Sequence, residues 1–349
     1  TPNLIGVQKV VGKGVKTSPI LEEQQQTALA DVVKDTDGKI RRGLLSIEMN
    51  DGQVQLGLAT TLALMYLEAE GIEPELKGDT GIISIGKTEL VPFKSNDGGY
   101  IRADDGGIQI LMNYRGKQDS FSQISISEVL NDRVAEDFFS DRIVLIGAIA
   151  ESLNDFLATP YSINRANQLE DLPGVFIHAN LASQIVSGAL EGRSSLKSIS
   201  EFGEWIWIFT WTFFVSTSNL ILLNRQSNVR QTLLVFGSTV LSLLIPGLLI
   251  TGSGYLLFLR GFWLPVIAPL FSLTLSTITI SWYYHQNQTK LASIDSLTQI
   301  PNRRSFETFL EQKWGETQKK EQTLSLVLCD VDFFKRYNDS YGHQAGDFC

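Results

Sequence analysis

Cysteine is nearly absent: Cys329 and Cys349 are the only two in 349 residues, so the front of the chain has no disulfide framework. Histidine is as scarce, at three. His178 has no second His or Cys at ligand spacing, which favours a structural histidine over a metal ligand. Basic residues are short in residues 1–200, where 18 Lys and Arg face 27 acids, and this accounts for the whole net charge of −9. Nucleic acid is therefore not an expected partner, because phosphate binding needs a basic surface. A cleavable leader is missing as well. TPNLIGVQKVVG has neither a basic head nor an apolar core of adequate length, and it has no initiator Met, so the natural N-terminus is expected upstream. No Gly-x-Gly-x-x-Gly or Walker-type loop follows the strand-like run ending at Gly147, so a nucleotide loop is not expected there.

Acidic residues vanish between Trp205 and Tyr284, 80 residues whose only charges are Arg225, Arg230 and Arg260. The arginines leave three uncharged stretches, 205–223, 233–250 and 262–284. Each approaches the length needed to cross a hydrocarbon core of roughly 30 Å. The turn-forming Thr251-Gly252-Ser253-Gly254 closes the second, and Pro265 and Pro269 stand near the start of the third. Tryptophans at 205, 207, 211, 263 and 282 sit near the ends, as an aromatic belt would. A buried helical core of a soluble protein is the plain alternative, and three consecutive arginine-bounded stretches weigh against it. Arg225 and Arg230 place the first loop in the cytoplasm, and Lys290, Arg303 and Arg304 do the same for the segment after the third span. An odd number of spans then puts residues 1–200 outside and 285–349 inside a multi-pass membrane protein.

Residues 1–200 read as a mixed α/β fold. Arg142-Ile143-Val144-Leu145-Ile146-Gly147 has the pattern of a buried strand, with further strands over 108–114 and 81–86. Helices are expected from Val54 to Ala69, stopped by Gly71, and from His178 to Val186, introduced by Pro173-Gly174-Val175. Asp35 to Arg42 is a turn entering a strand. Asp155, Thr159, His178 and Asn180 either converge at strand ends to bind a small ligand or, for Asp155 and Thr159, cap a turn and hold a loop. No catalytic triad or metal cluster stands out, so the region reads as a binder rather than an enzyme.

Several of these segments, in order, carry a resemblance. They are Asp37-Gly38-Lys39-Ile40-Arg41-Arg42, Asn113-Tyr114-Arg115-Gly116, Asp141 to Gly147, Asn154-Asp155 through Thr159-Pro160, and Pro173 to Asn180. Together they resemble the extracytoplasmic sensor domain of the second CHASE class over about residues 30–200. The resemblance implies an unknown ligand and a domain that begins earlier, after an N-terminal anchor helix.

After the third span, Leu291, Ile294 and Leu297 recur at helical spacing, so 285–296 is expected to prolong the helix as a signalling linker. Asp295-Ser296-Leu297-Thr298-Gln299-Ile300-Pro301-Asn302-Arg303-Arg304 opens a helix over Ser305 to Lys313. An apolar strand, Leu324 to Cys329, then delivers Asp330 and Asp332 to its end, ahead of Lys335. Alternation turns Cys329 toward a sheet interior. Carboxylates at a strand end before a lysine are a common way to hold a divalent cation against a polyphosphate.

These two motifs, with Asn338-Asp339, Gly342-His343 and Gly346-Asp347 at their spacing, closely resemble the front half of the GGDEF domain of diguanylate cyclases, an α/β palm-like fold with an antiparallel sheet. The resemblance implies metal binding (Mg²⁺ or Mn²⁺) at Asp330 and the Val331 carbonyl. It implies phosphate contacts from the N–H groups of Phe333 and Phe334 and from Lys335, and guanine reading by Asn338 and Asp347. It also implies GTP as substrate and a homodimer, with one GTP in each protomer. Asp332 and Asp339 are less defined, and His343 reads as structural. The glycine-rich acidic hairpin that names the family is expected further along than Cys349, so residues 295–349 are read as an incomplete and inactive part of that domain. The rival reading is a non-catalytic membrane sensor carrying a vestigial or GTP-binding-only remnant.

Overall fold

The structure is a computed structural model that describes residues 3–12, 14–150, 152, 155–162, 170–224, 232–291, 293–295, 297–320 and 322–349. It divides into two compact units, residues 1–211 with 246–270 and residues 212–245 with 271–349.

In the first unit, β1 (Gly6–Gln8) pairs in parallel with β2 (Thr27–Leu29), and α1 (Pro19–Glu23) lies between them in sequence. The turn predicted after Asp35 is present. The Asp35 N–H donates to the Lys39 carbonyl and the Gly38 N–H to the Asp35 carbonyl. It feeds β3 (Arg42–Glu48), the centre of an antiparallel sheet flanked by β4 (Val54–Leu56) and β8 (Ile108–Leu111). The helix predicted from Val54 begins later, as α2 (Leu58–Ala69). Turn chemistry explains the difference. Gly52 N–H donates to Met49 O and Met49 N–H to Gln53 O, a hairpin that commits Val54–Leu56 to pairing with β3. A second antiparallel sheet has the order β5 (Pro74–Lys77), β6 (Ile82–Ile85), β7 (Thr88–Leu90).

Beyond α3 (Ile126–Leu130), Arg142–Gly147 departs from expectation: it is not a strand, and Val144 and Ile146 are 47% and 82% exposed. An apolar run becomes a strand only by pairing its backbone, and no described strand lies alongside it. β9 (Phe156–Leu157) and β10 (Leu172–Pro173) form a short antiparallel pair leading into α4 (Gly174–Glu191). The buried face of α4 sets Phe176, Ile177, Leu181 and Ile185 into a core with Ile40, Leu45, Ala63, Leu67, Ile85 and Ile110. Each fully buried aliphatic side chain there contributes about 1.5–3 kcal/mol. β11 (Lys197–Ser198) pairs in parallel with β12 (Phe262–Trp263).

Three long helices follow the sensor region: α5 (Glu201–Asn224), α6 (Thr232–Leu259) and α7 (Ile267–Leu291). Two stretches, Glu201–Leu223 and Thr239–Leu259, are long and apolar enough to cross a membrane. Only 17% and 11% of their apolar windows are buried, unlike the core helix of a soluble protein. The turn predicted at Thr251–Gly254 is helical. The Thr251 and Ser253 hydroxyls bond back to the Gly247 and Leu249 carbonyls, satisfying local polar groups inside the helix. The third stretch starts later than predicted, because Phe262 and Trp263 pair with β11 and the helix begins after Pro265.

In the second unit, Asn219 is buried and links helices. Its Nδ2 donates to Thr277 Oγ1 at 2.9 Å, and Ser242 Oγ donates to its Oδ1 at 2.5 Å. Thr212 Oγ1 and Ser272 Oγ are bonded at 3.0 Å. The predicted helical linker stops at Leu291. Ile294 instead bridges Pro301, and the Asp295 carboxylate accepts the N–H groups of Leu297 and Thr298 and the Thr298 hydroxyl. This Asx turn competes successfully with helix continuation. α8 (Arg303–Lys319) is capped by Asn302, whose Oδ1 accepts from Ser305 N–H at 3.1 Å, and it exceeds the predicted 305–313 at both ends. Leu324–Cys329, predicted as a strand, has no strand assignment and is exposed, with no partner strand among the described residues; Cys329 faces solvent, not a sheet interior. α9 (Phe334–Tyr341) and α10 (His343–Asp347) end the chain.

Candidate nucleotide and ligand sites

Asp330 to Lys335 lie consecutively at the entrance to α9. Asp330 is exposed, and its Oδ1 accepts the Val331 N–H at 3.0 Å. Phe333 takes a left-handed backbone, φ 57°, and forms the N-cap of α9, so Phe334 and Lys335 occupy its first turn. The Phe334 N–H donates to the Val331 carbonyl at 3.4 Å, the helix N-terminus carries partial positive charge, and Lys335 adds a full charge beside it. Asn338 stands one turn further on. Its Oδ1 is buried without a hydrogen-bond partner and presses on Gly346 of α10, closer than any side chain at 346 would allow. Asp347 follows at once and is exposed. The two residues expected to read guanine therefore sit on helices packed against each other. An orphaned buried acceptor is uncommon in a folded protein and is what a ligand N–H would satisfy.

For a divalent cation, the Asp330 carboxylate and Val331 carbonyl are hard oxygen donors. No group of three His, Cys, Asp or Glu side chains gathers among the described residues. Mg²⁺ commonly takes one or two carboxylates together with substrate phosphates, so the donor chemistry fits.

Among the four candidate residues of residues 1–200, Thr159 and Asn180 make local contacts, whereas the Asp155 carboxylate acts electrostatically on the His178 ring. Thr159 is buried; its N–H donates to Ser162 Oγ at 2.7 Å and its Oγ1 accepts from Tyr161 N–H at 3.1 Å, closing a turn. Asn180, fully buried, accepts from Arg115 N–H at 2.8 Å and donates to the Phe176 and Gly116 carbonyls. The Asp155 carbonyl accepts from Gly174 N–H at 2.9 Å, and its carboxylate lies against Gly174 at the start of α4, where the helix dipole favours it. His178 is buried and bonded to the Ala30 carbonyl; burial pushes its pKa down to about 4. Thr159 also lines an open groove of about 500 Å³ with Gly116, Lys117, Phe156, Tyr161 and Glu170. Lys117 and Glu170 pair across it at 2.6 Å.

A further cluster escaped the sequence reading. Asp35 accepts from Arg41 at 2.7 Å, Arg42 Nε at 2.9 Å and the Tyr100 hydroxyl at 2.8 Å. The Arg42 guanidinium lies over the rings of Phe93 and Tyr100, 4.8 and 5.2 Å from their centroids. Its signal was the doubled arginine after Asp35-Thr36-Asp37-Gly38. Tyr100 and Phe93 lie too far along the chain for that signal to point to them.

The chain thus combines a mixed α/β region, long apolar helices and an acidic segment set before the N-terminus of α9. The CHASE2 domain family matches residues 2–217, and the chain belongs to it. Residues 292–349 match the GGDEF domain, described as diguanylate cyclase. Among relatives, diguanylate cyclase DgcS of Shewanella oneidensis is 36% identical over 18% of this chain and 22% of its own length. DgcP of Pseudomonas aeruginosa is 40% identical over 18% of this chain and 9% of its own. A protein named probable diguanylate cyclase DgcC, from Escherichia coli K12, is 28% identical over 32% of this chain and 39% of its own. The chain thus spans less than half the length of these curated relatives. No solved structure matches.

Proposed function

We propose that the full-length protein is a membrane-bound, sensor-controlled diguanylate cyclase that condenses two GTP into cyclic di-GMP. The observation that carries this reading is the run from Asp330 to Asp347. It sets a carboxylate, a helix N-terminus with its lysine, and a buried unpaired amide oxygen within one short segment of a chain similar to diguanylate cyclases. Lys335 and the first N–H groups of α9 would hold the triphosphate, while Asn338 and Asp347 would select guanine by donor and acceptor pattern. Mg²⁺ (or Mn²⁺), held by Asp330 and the Val331 carbonyl, would neutralise the phosphates when bound. Two protomers would each present one GTP, so the active form is a homodimer.

The sensor region lies outside the bacterial inner membrane and residues 285–349 inside, with α7 as a third span. Its support is the pair of bonds from α7, Thr277 to Asn219 and Ser272 to Thr212, since side-chain bonds of this kind join helices within lipid. The test is cyclic di-GMP formation from GTP by the full-length protein, read by mass spectrometry. Asp330→Asn is expected to lower the rate by at least about a hundredfold. Asn338→Ala is expected to weaken discrimination of GTP from ATP. Undiminished synthesis by Asp330→Asn would sink the assignment.

A further inference from the structure

Residues 94–107 form a loop held at both ends by groups that the proposed reaction does not use. We infer that this loop is the mechanical link through which the sensor core moves the membrane helices, an inference that rests on the reading of residues 1–200 as the input domain.

The loop is stiff. Lys94 N–H donates to the Asp97 carboxylate at 2.9 Å, Ser95 N–H to Asp105 at 3.1 Å, Arg102 N–H to Asn96 at 3.0 Å and Ala103 N–H to the Ser95 carbonyl at 2.9 Å. A segment bonded to itself in this way passes on a displacement rather than absorbing it.

Its sensor end is fixed by the buried charge of Arg42, which is 2% exposed. Arg42 donates to Asp35, to the Asp104 carbonyl and to Gln109 Oε1 at 2.8 Å, while Gln109 Nε2 bonds Gly106 O at 2.8 Å. Arg42 opens β3 and Gln109 lies in β8, so two strands of the central sheet grip the loop. A buried ion pair held by several further hydrogen bonds from Arg42 Nε and Nη1 is costly to leave half-made, so the grip on the loop is not given up piecemeal.

The membrane end reaches α5 and the connection between α6 and α7. Tyr100, bonded to Asp35 on one side, meets the Trp263 ring edge-on at 5.7 Å on the other. Gly98 has φ 61° and rests on the same indole; a Cβ there would come within 2.6 Å of Trp263 Cε3, so glycine is required by both backbone and space. Gly98 N–H donates to Glu204 Oε1 at 2.9 Å, and Ser198 Oγ joins the same oxygen at 3.1 Å. Glu204 belongs to the first turns of α5, and Trp263 to the connection between α6 and α7. Movement of β3 or β8 is thereby carried by Arg42 and Tyr100 to the ends of these helices. Trp263, Tyr100 and Glu204 are positioning residues in this scheme and touch no substrate.

The test uses the full-length protein in lipid nanodiscs, with Trp263→Ala, Trp263→Phe and Glu204→Gln, and Leu130→Ala on the exposed face of α3 as control. Hydrogen exchange read by mass spectrometry is expected to accelerate about tenfold over 94–107 and into 108–111 in Trp263→Ala and over 94–100 in Glu204→Gln. Trp263→Phe, which keeps a ring against Tyr100, is expected to restore most of the protection. The cyclic di-GMP rate is expected to change about threefold or more in Trp263→Ala and Glu204→Gln with KM for GTP unchanged, and to stay at wild type in Leu130→Ala. Exchange confined to 260–266 overturns the link, and so does propagated exchange with an unaltered rate. A wild-type protein that makes no cyclic di-GMP would remove the cyclase reading alone, and the exchange pattern would still decide whether the loop is coupled.

Discussion

His178 illustrates how a single side chain sets the acid tolerance of the sensor region. Its pKa falls to about 4 in the fold, against an ordinary value near 6.5, because burial penalises the charged ring. The unfolded chain therefore binds the extra proton between those values. The stability contributed by the neutral ring is fully present above about pH 6.5 and is lost as pH falls toward 4, a change of about 3 kcal/mol. Urea unfolding of the full-length protein followed from pH 7 to pH 4 is expected to show this slope, and His178→Gln to flatten it. A slope of the same size in the variant would remove His178 as its cause. Asp37 at the surface is likewise lowered, but by favouring its charged form: its hydrogen bond to Arg41 holds the carboxyl far below the usual range, so its contribution too is lost as pH falls. At this scale the sequence was informative about type and weak about company. His178 was readable as structural because it had no ligand neighbours. Its real partner, the Ala30 carbonyl, comes from the residue that follows β2, far from it in sequence.

Expected strands formed where the chain supplied a partner, 108–114 as β8 beside β3 and 81–86 as β6 between β5 and β7. α4 contains the helix expected over 178–186 but extends beyond it at both ends, from Gly174 to Glu191, and the Asp35–Lys39 turn enters β3 as predicted. Arg142–Gly147 and Leu324–Cys329 have strand composition, but pairing is a property of two segments, and neither has a described neighbour to pair with. Two helix boundaries fell elsewhere than expected: α6 runs on through Gly252 and Gly254, and Asp295 closes a turn just after α7. The candidate nucleotide residues were legible as a list, whereas the orphaned Asn338 oxygen against Gly346 needed the packing of α9 on α10. In the apolar helices the bonds of Asn219 give a direct test. Asn219→Leu is expected to destabilise helix association by about 0.6–2 kcal/mol in a detergent unfolding titration. An unchanged midpoint would show that these bonds do not hold the helices together.

For the whole molecule, the decisive quantity is the number of times the chain crosses the bilayer. Three crossings place the sensor and the nucleotide segment on opposite faces, whereas two place them on the same face. Cys329 and Cys349 are both exposed and are the only thiols in this sequence, which makes a protein of this sequence its own reporter. A membrane-impermeant maleimide added to intact spheroplasts is expected to leave both unlabelled until the membrane is opened. Labelling before permeabilisation would rule out α7 as a span and the orientation proposed with it.

The bare stretch Arg142–Gly147 also bears on how the protein must be handled. An unpaired β-prone run bearing Val144 and Ile146 in water is a segment onto which other chains can stack, with the charges of Asp141 and Arg142 at one end as gatekeepers. Newly made chains held in solution would therefore clump in a concentration-dependent way, visible as light scattering. Ile146→Lys is expected to clear that turbidity without disturbing the core around α4.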